Sequence, residues 1–322
     1  MEYKTLPGTS LKLSQLCLGT MMFGGQTSEA DSLQIMDYAY SQGINFFDTA
    51  NTYVQGESEF IVGKGLKGRR HDILLATKVR GQMGSGRNDV GLNRRNILAA
   101  LEASLQRLDT DYLDLYYLHA PDYDTSLEET VETMSSLVKS GKIRYWGVSN
   151  FAAWQVADML AICDKRSYIP PCVTQNVYNA LTRGIEAEFL PFLKAHPLGL
   201  VIYNPIAGGL LSGKHVFGQP SANTRFANNQ EYYKRYWSQE NFTAVEKLQA
   251  IAEAQNLSLL QLAMKWCAAQ PQVTSTITGV SRLEQLKQNI VSVEGKPLAA
   301  DVLAQCDEIW LSLAGTRFAY NR

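Results

Sequence analysis

The chain has 322 residues, of which 45% are hydrophobic and 19% charged, with a formal net charge of -1. That balance is ordinary for a globular protein and lacks the basic excess that nucleic acid or an anionic membrane surface calls for, so the expected partner is a small molecule. No run approaches the ~18 apolar residues of a membrane span. The opening around Pro7 and Gly8 has no apolar signal core, and the five cysteines (Cys17, Cys163, Cys172, Cys267, Cys306) include no Cys-x-x-Cys pair. A cytoplasmic protein with free thiols is the expectation.

In chain order, a segment from Glu2 to Lys12 is predicted to form a capping hairpin. Short apolar runs then alternate with helix-like stretches. Strands are predicted at Gln15–Gly19, Asn45–Asp48, Ile73–Lys78, Leu113–His119, Ile143–Ser149, Val173–Asn176, Leu200–Tyr203 and Thr274–Thr278. Amphipathic stretches such as Glu29–Ser41, Asn93–Leu108 and Leu127–Lys139 lie between them, and Gly43, Gly141 and Gly199 stand where helices should stop. Eight apolar strands alternating with helices predict an α/β fold, a single (β/α)₈ TIM barrel over residues 1–322. A doubly wound sheet is the rival architecture. One connection, 206–239, is too long for a plain turn and gathers Phe226, Tyr232, Tyr233, Tyr236 and Trp237, which predicts a functional loop. The stretch from Ala299 to Arg322 reads as a further helix and a polar tail.

Four residues fall at or just beyond successive strand ends: Asp48, Tyr53, Lys78 and His119. A β/α barrel keeps its chemistry at that end. A tyrosine titrates near ~10 and is a poor acid at neutral pH. A lysine ammonium beside the phenol favours the phenolate, and an aspartate paired with the lysine holds the cation in place. A histidine nearby can hydrogen-bond a carbonyl oxygen. The set suits carbonyl reduction. A Schiff-base aldolase is the competing class for a barrel lysine, but Lys78 comes with a tyrosine and an aspartate and without a second lysine nearby.

Two glycine-rich stretches imitate nucleotide motifs. Gly63-Lys64-Gly65-Leu66-Lys67-Gly68 spells G-x-G-x-x-G, yet it follows a helix-like stretch instead of a strand and reads as a helix end. Gly208-Gly209-Leu210-Leu211-Ser212-Gly213-Lys214 nearly spells a Walker A loop, with His215 where Ser or Thr must stand. Its glycines and Lys214 suit a different phosphate. His71, His119, His196 and His215 have no metal-ligand spacing, and no metal site is predicted. Phe23, Tyr53, Tyr117 and the aromatics of the long loop are candidate pocket walls.

Several separated motifs resemble the aldo-keto reductase family across almost the whole chain. Gly43-Ile44-Asn45-Phe46-Phe47-Asp48-Thr49-Ala50 with Tyr53 resembles the family's first signature. Leu101-Glu102-Ala103-Ser104-Leu105-Gln106-Arg107-Leu108, leading to Asp114-Leu115-Tyr116-Tyr117-Leu118-His119, resembles its second. The overall pattern is most similar to bacterial members of the potassium-channel β-subunit-like group. The resemblance implies a catalytic tetrad of Asp48, Tyr53, Lys78 and His119 with Tyr53 as proton donor. It implies NADPH as cofactor, with NADH less favoured. Ser149, Asn150 and Gln175 would hold the nicotinamide carboxamide, and Tyr203 would stack on the ring. Asn204, Pro205, Ile206, Gly208, Leu211, Gly213 and Lys214 belong to the implied pyrophosphate loop. Gly279, Ser281, Arg282, Gln285, Gln288 and Asn289 fall in the implied adenosine-phosphate motif, with Arg282 facing a 2′-phosphate. Two positions depart from the family pattern: Thr278 replaces a proline and Gln288 a glutamate.

These readings imply an NADPH-dependent reductase of aldehydes or ketones. The alternative is a barrel that binds NADPH as a regulator or sensor and turns over slowly. Substrate, direction in the cell and oligomeric state are not readable from the sequence.

Overall fold

The computed structural model describes residues 1–220, 222 and 224–315. A two-stranded antiparallel hairpin, β1 (Tyr3–Thr5) with β2 (Lys12–Ser14), precedes eight parallel strands. These are β3 (Leu16–Gly19), β4 (Phe46–Asp48), β5 (Leu74–Val79), β6 (Leu113–Leu118), β7 (Ile143–Ser149), β8 (Val173–Val177), β9 (Gly199–Tyr203) and β10 (Val273–Gly279). They run in sequence order around a closed barrel, and β10 pairs with β3 to shut it. The rival doubly wound sheet is thereby excluded.

Helices α1 (Glu29–Ser41), α2 (Glu57–Gly65), α3 (Arg94–Leu108), α4 (Leu127–Lys139), α5 (Ala153–Arg166) and α6 (Phe189–Ala195) follow the first six barrel strands. Four more lie between β9 and β10: α7 (Arg225–Asn228), α8 (Gln230–Tyr236), α9 (Gln239–Ala254) and α10 (Leu259–Ala269). Helices α11 (Leu283–Val293) and α12 (Ala300–Ala314) complete the described fold. Local chemistry sets several starts: Ser28 accepts from the Asp31 amide, Asn93 from the Asn96 amide, and Ser258 with Gln261 forms a capping box. The G-x-G-x-x-G stretch is indeed a helix end, since α2 stops at Gly65.

Two apolar layers follow from the alternation of the strands. One lies between barrel and helices and includes Leu18, Phe47, Leu75, Leu118 and Val148. The other fills the barrel from within, with Cys17, Phe46, Ala76, Leu115, Tyr117, Val173 and Val201. Leu6 and Leu13 of the hairpin join this inner layer, and Lys4 Nζ donates to the Val273 carbonyl at 2.8 Å, so the hairpin closes the amino-terminal end. Gly199 does not stop a helix as expected. It opens β9, where a Cβ would come within 2.2 Å of Leu6 Cδ1, so close approach of the plug requires glycine there.

The long connection is more ordered than its composition suggests. A short 3₁₀ segment over Ala207–Ser212 leads to α7 and α8. Phe226, Tyr236 and Trp237 are buried; Trp237 packs against both Phe226 and Phe242, with centroids 4.9 Å apart in each case, and Tyr236 faces Tyr232 at 6.3 Å. The expected polar tail, 316–322, lies outside the described residues.

Candidate active site

Asp48 closes β4, Lys78 lies one residue from the end of β5, and His119 follows β6 directly. Tyr53 begins a one-turn 3₁₀ segment, Tyr53–Gly56, between β4 and α2. Val54 (φ 48), Gln55 (φ 55) and Gly56 (φ 97) are all left-handed, an uncommon run for non-glycine residues and above all for a β-branched valine. Such strain persists only where the surroundings over-determine it. Here the turn swings the Tyr53 hydroxyl back over the barrel mouth.

Lys78 is fully buried and its Nζ serves three acceptors: an Asp48 oxygen in a short ion pair, the Thr49 carbonyl at 2.7 Å and the Tyr53 hydroxyl at 3.2 Å. The other Asp48 oxygen accepts from Gln175 Nε2 at 2.9 Å. Burial pulls the Lys78 ammonium down, but Asp48 and Tyr53 outweigh it, and its pKa stands above the ordinary lysine value. Lys78 is a fixed cation.

Tyr53 differs from the expectation of a depressed phenol. Burial raises its pKa, Lys78 lowers it and Asp48 raises it again, with a net shift above the ordinary value of 10.0. Desolvation of a phenolate outweighs one paired cation, so Tyr53 carries its proton at neutral pH. The His119 ring meets the Tyr53 ring edge-on with centroids 5.9 Å apart. Burial, then Lys78 and Arg80, push its pKa down to about 3, so the imidazole is neutral and can donate a hydrogen bond without charge.

Asp48, Tyr53 and His119 line one end of a cavity of about 1180 Å³, which continues past the strand ends to α11. Lys78 sits directly behind them. Ser149, Asn150, Gln175, Tyr203, Asn204, Pro205, Ile206, Gly208, Lys214, Gly279, Ser281, Gln285, Gln288 and Asn289 line the same cavity. Three candidates do not. Leu211 is buried in the outer core, Gly213 (φ 75) ends the 3₁₀ segment, and Arg282 is the exposed residue preceding α11. Gly208 (φ 70) and Gly209 (φ 114) give the loop its left-handed turn. A Cβ on Gly208 would meet the Tyr232 ring at 2.7 Å.

Several candidates are tied to one another. Tyr203 donates to Asn150 Oδ1 at 2.7 Å, and Asn150 Nδ2 donates to the His119 carbonyl at 3.0 Å. Gln285 Oε1 accepts from the Ser281 amide at 2.9 Å. Asn289 Nδ2 donates to Thr278 Oγ1 at 2.6 Å, so the hydroxyl at the departing position 278 engages a candidate adenine contact.

The expected pocket walls need correction. Phe23 and Tyr117 are fully buried and do not reach the cavity: Phe23 belongs to the outer layer, and Tyr117 lies two residues below His119 inside the barrel. Among the loop aromatics only Tyr232 lines it, donating to Asn204 Oδ1 at 3.2 Å. Arg225 and Arg235 also line the cavity, and both lie over the Tyr232 ring, at 4.9 and 5.7 Å. Met21, Met22 and Gln26, after β3, line it too. No sequence signal marked these, because they sit in irregular connections whose direction only the closed barrel sets. Among the described residues no group of three His, Cys, Asp or Glu could hold a metal ion, and no helix is long and apolar enough to cross a membrane.

Residues 15–311 match the aldo/keto reductase family. The chain belongs to that family. It is 37% identical over 310 residues to a probable voltage-gated potassium channel subunit beta of Arabidopsis thaliana, covering 94% of each chain. It is 38% identical over 305 residues to the uncharacterized oxidoreductase YrpG of Bacillus subtilis, covering 91% of each. Aflatoxin B1 aldehyde reductase member 2 of Mus musculus is 36% identical over 315 residues, which cover 92% of this chain and 84% of the relative. Aldo/keto reductases use NAD(P)H and act on small carbonyl compounds.

Proposed function

We propose that this aldo/keto reductase is a single-domain cytoplasmic enzyme that reduces aldehydes or ketones to alcohols with NADPH, Tyr53 donating the proton. The observation that carries the reading is the chain Asp48–Lys78–Tyr53, with Lys78 Nζ 3.2 Å from the Tyr53 hydroxyl and a neutral His119 beside it. The five buried free cysteines accord with a reducing compartment.

The cavity suits a dinucleotide. Asn204 Nδ2 is a buried donor on its wall with no partner among the described residues, which suits an acceptor from a bound molecule. Beside it Gly208 and Gly209 offer bare backbone, and Lys214 adds positive charge. NADPH, when bound, supplies the hydride. Ser149, Asn150, Gln175 and Tyr203 would hold its nicotinamide end, and Ser281, Arg282, Gln285, Gln288 and Asn289 its adenosine end, Arg282 favouring the 2′-phosphate by charge.

The reacting carbonyl oxygen is placed between Tyr53 and His119. His119 orients it as a neutral donor, and Tyr53 protonates it as negative charge develops. Lys78 stabilises the phenolate left behind until a proton returns from solvent, and Asp48 fixes Lys78. Steady-state cofactor oxidation with a panel of aldehydes and ketones tests the reading, NADPH and NADH being compared. Turnover that favours NADPH supports it, and sustained preference for NADH removes the assigned role of Arg282.

A second reading has a specific observation in its favour, since relatives in Arabidopsis thaliana and Oryza sativa carry the name of probable potassium channel β subunits. On that reading the barrel binds NADPH chiefly as a sensor or partner subunit. Reduction confined to a single turnover with every carbonyl offered would favour it.

A further inference from the structure

We propose that Glu59 is a positioning residue: through Thr77 and Arg107 it seats the strained turn that carries Tyr53 against the strand that carries Lys78. The proposal rests on the reductase reading for its consequence in turnover, but its geometry is independent of it.

Glu59 is a carboxylate with no solvent exposure, on the first turn of α2, six residues after Tyr53. A buried charge persists only when paired and hydrogen-bonded. One oxygen accepts from Thr77 Oγ1 at 2.5 Å, and Thr77 is the residue immediately before Lys78. The other accepts from Arg107 Nε of α3 at 2.7 Å. Arg107 in turn packs under the turn itself, since a Cβ on Gly56 would lie 2.9 Å from Arg107 Cδ. One carboxylate therefore ties the helix after the turn, the strand holding the ammonium and the side chain beneath Gly56.

A second set of bonds pins the neighbouring residue. Ser58 Oγ lies 2.9 Å from Thr49 Oγ1 and 2.8 Å from Thr20 Oγ1, and donates to the Thr20 carbonyl at 2.8 Å. Thr49 follows Asp48 and its carbonyl accepts from Lys78. Ser58 ties the start of α2 to β3 and to the end of β4, whereas Glu59 ties it to β5, downstream of the turn; upstream of the turn the Asn51 amide donates to the Lys78 carbonyl at 3.3 Å. Val54, Gln55 and Gly56 stay left-handed because both ends of their segment are held. The Lys78–Tyr53 distance depends on how the turn is held to β5 at both ends, and Glu59 with Thr77 supplies the side-chain attachment at the α2 end.

Thr77→Val tests this most cleanly, because it removes the hydroxyl and leaves the Glu59–Arg107 pair in place. Glu59→Gln is the second variant. Three quantities are read: the ¹³Cζ shift of Tyr53, assigned with Tyr53→Phe, which reports its hydrogen bond to Lys78; NADPH affinity by fluorescence; and kcat for an aldehyde. We expect the Tyr53 resonance to move in both variants, NADPH affinity to hold, and kcat to fall roughly tenfold, in keeping with the sensitivity of rate to small misplacement. A lowered melting temperature with an unmoved Tyr53 resonance and unchanged kcat in Thr77→Val would leave Glu59 a merely structural ion pair and overturn the proposal. Absence of wild-type turnover would count against the reductase reading instead, and the Tyr53 resonance would still decide the role of Glu59.

Discussion

Gln175 donates its side-chain nitrogen to Asp48 Oδ2 at 2.9 Å, opposite the oxygen that Lys78 takes. A residue proposed to hold the cofactor amide thus also completes the buried carboxylate that fixes Lys78. Gln175→Met keeps the volume and removes the donor, leaving that oxygen without a partner. Such a loss costs about 1–3 kcal/mol, more for a charged group. Urea unfolding should show a destabilisation of at least that order, and an unchanged midpoint would mean that the bond contributes nothing.

His119 has its pKa pushed down to about 3 in the folded chain, against an ordinary value of 6.5. Between those values the unfolded chain binds a proton that the folded chain does not. Stability is therefore full above pH 6.5 and declines as pH falls toward 3. His119→Gln should flatten part of that acid decline in urea titrations across this window. The same low value predicts that kcat shows no acid limb from His119 between about pH 5 and 8. A histidine resonance titrating near 6.5 and lost in His119→Gln would contradict both statements.

The barrel was legible because parallel strands covered on both faces leave short apolar runs. The predicted Ile73–Lys78 is displaced by one residue from Leu74–Val79, and the predicted Leu113–His119 runs one residue past Leu113–Leu118. The neighbourhood of Asp48, Tyr53, Lys78 and His119 was legible for the same reason, since strand ends converge once the barrel closes. Four things were not. Apolar alternation places Tyr117 inside the barrel without saying that its layer lies beneath the open mouth. Residue type alone cannot weigh desolvation against one cation, so Tyr53 was expected with a lowered pKa. Helices α7 and α8 are held by the buried aromatics Phe226, Tyr236 and Trp237, through tertiary contacts that local composition does not encode. The Glu59–Arg107 contact gave no signal either, since the two charges lie far apart in sequence and meet only in the fold.

Arg282 is exposed at the residue preceding α11 and sits between Ser281 and the helix that carries Gln285 and Gln288. Its proposed role is with the 2′-phosphate, a charge-assisted contact of about 1.5–3 kcal/mol. Arg282→Ala should weaken NADPH binding roughly tenfold or more and leave NADH binding nearly unchanged. Equal weakening of both cofactors, measured by fluorescence titration, would place the arginine on a part that the two share.

Tyr53 as proton donor is the central claim, and Tyr53→Phe probes it with least disturbance because only the hydroxyl beside Lys78 is removed. Rates of NADPH oxidation with an aldehyde that the wild-type protein turns over should be compared alongside NADPH affinity. General acid catalysis of this kind contributes roughly 10²–10⁴-fold. A fall of that size in kcat with NADPH affinity retained is the result predicted here, and a variant that keeps wild-type kcat would contradict the assignment of the proton to Tyr53.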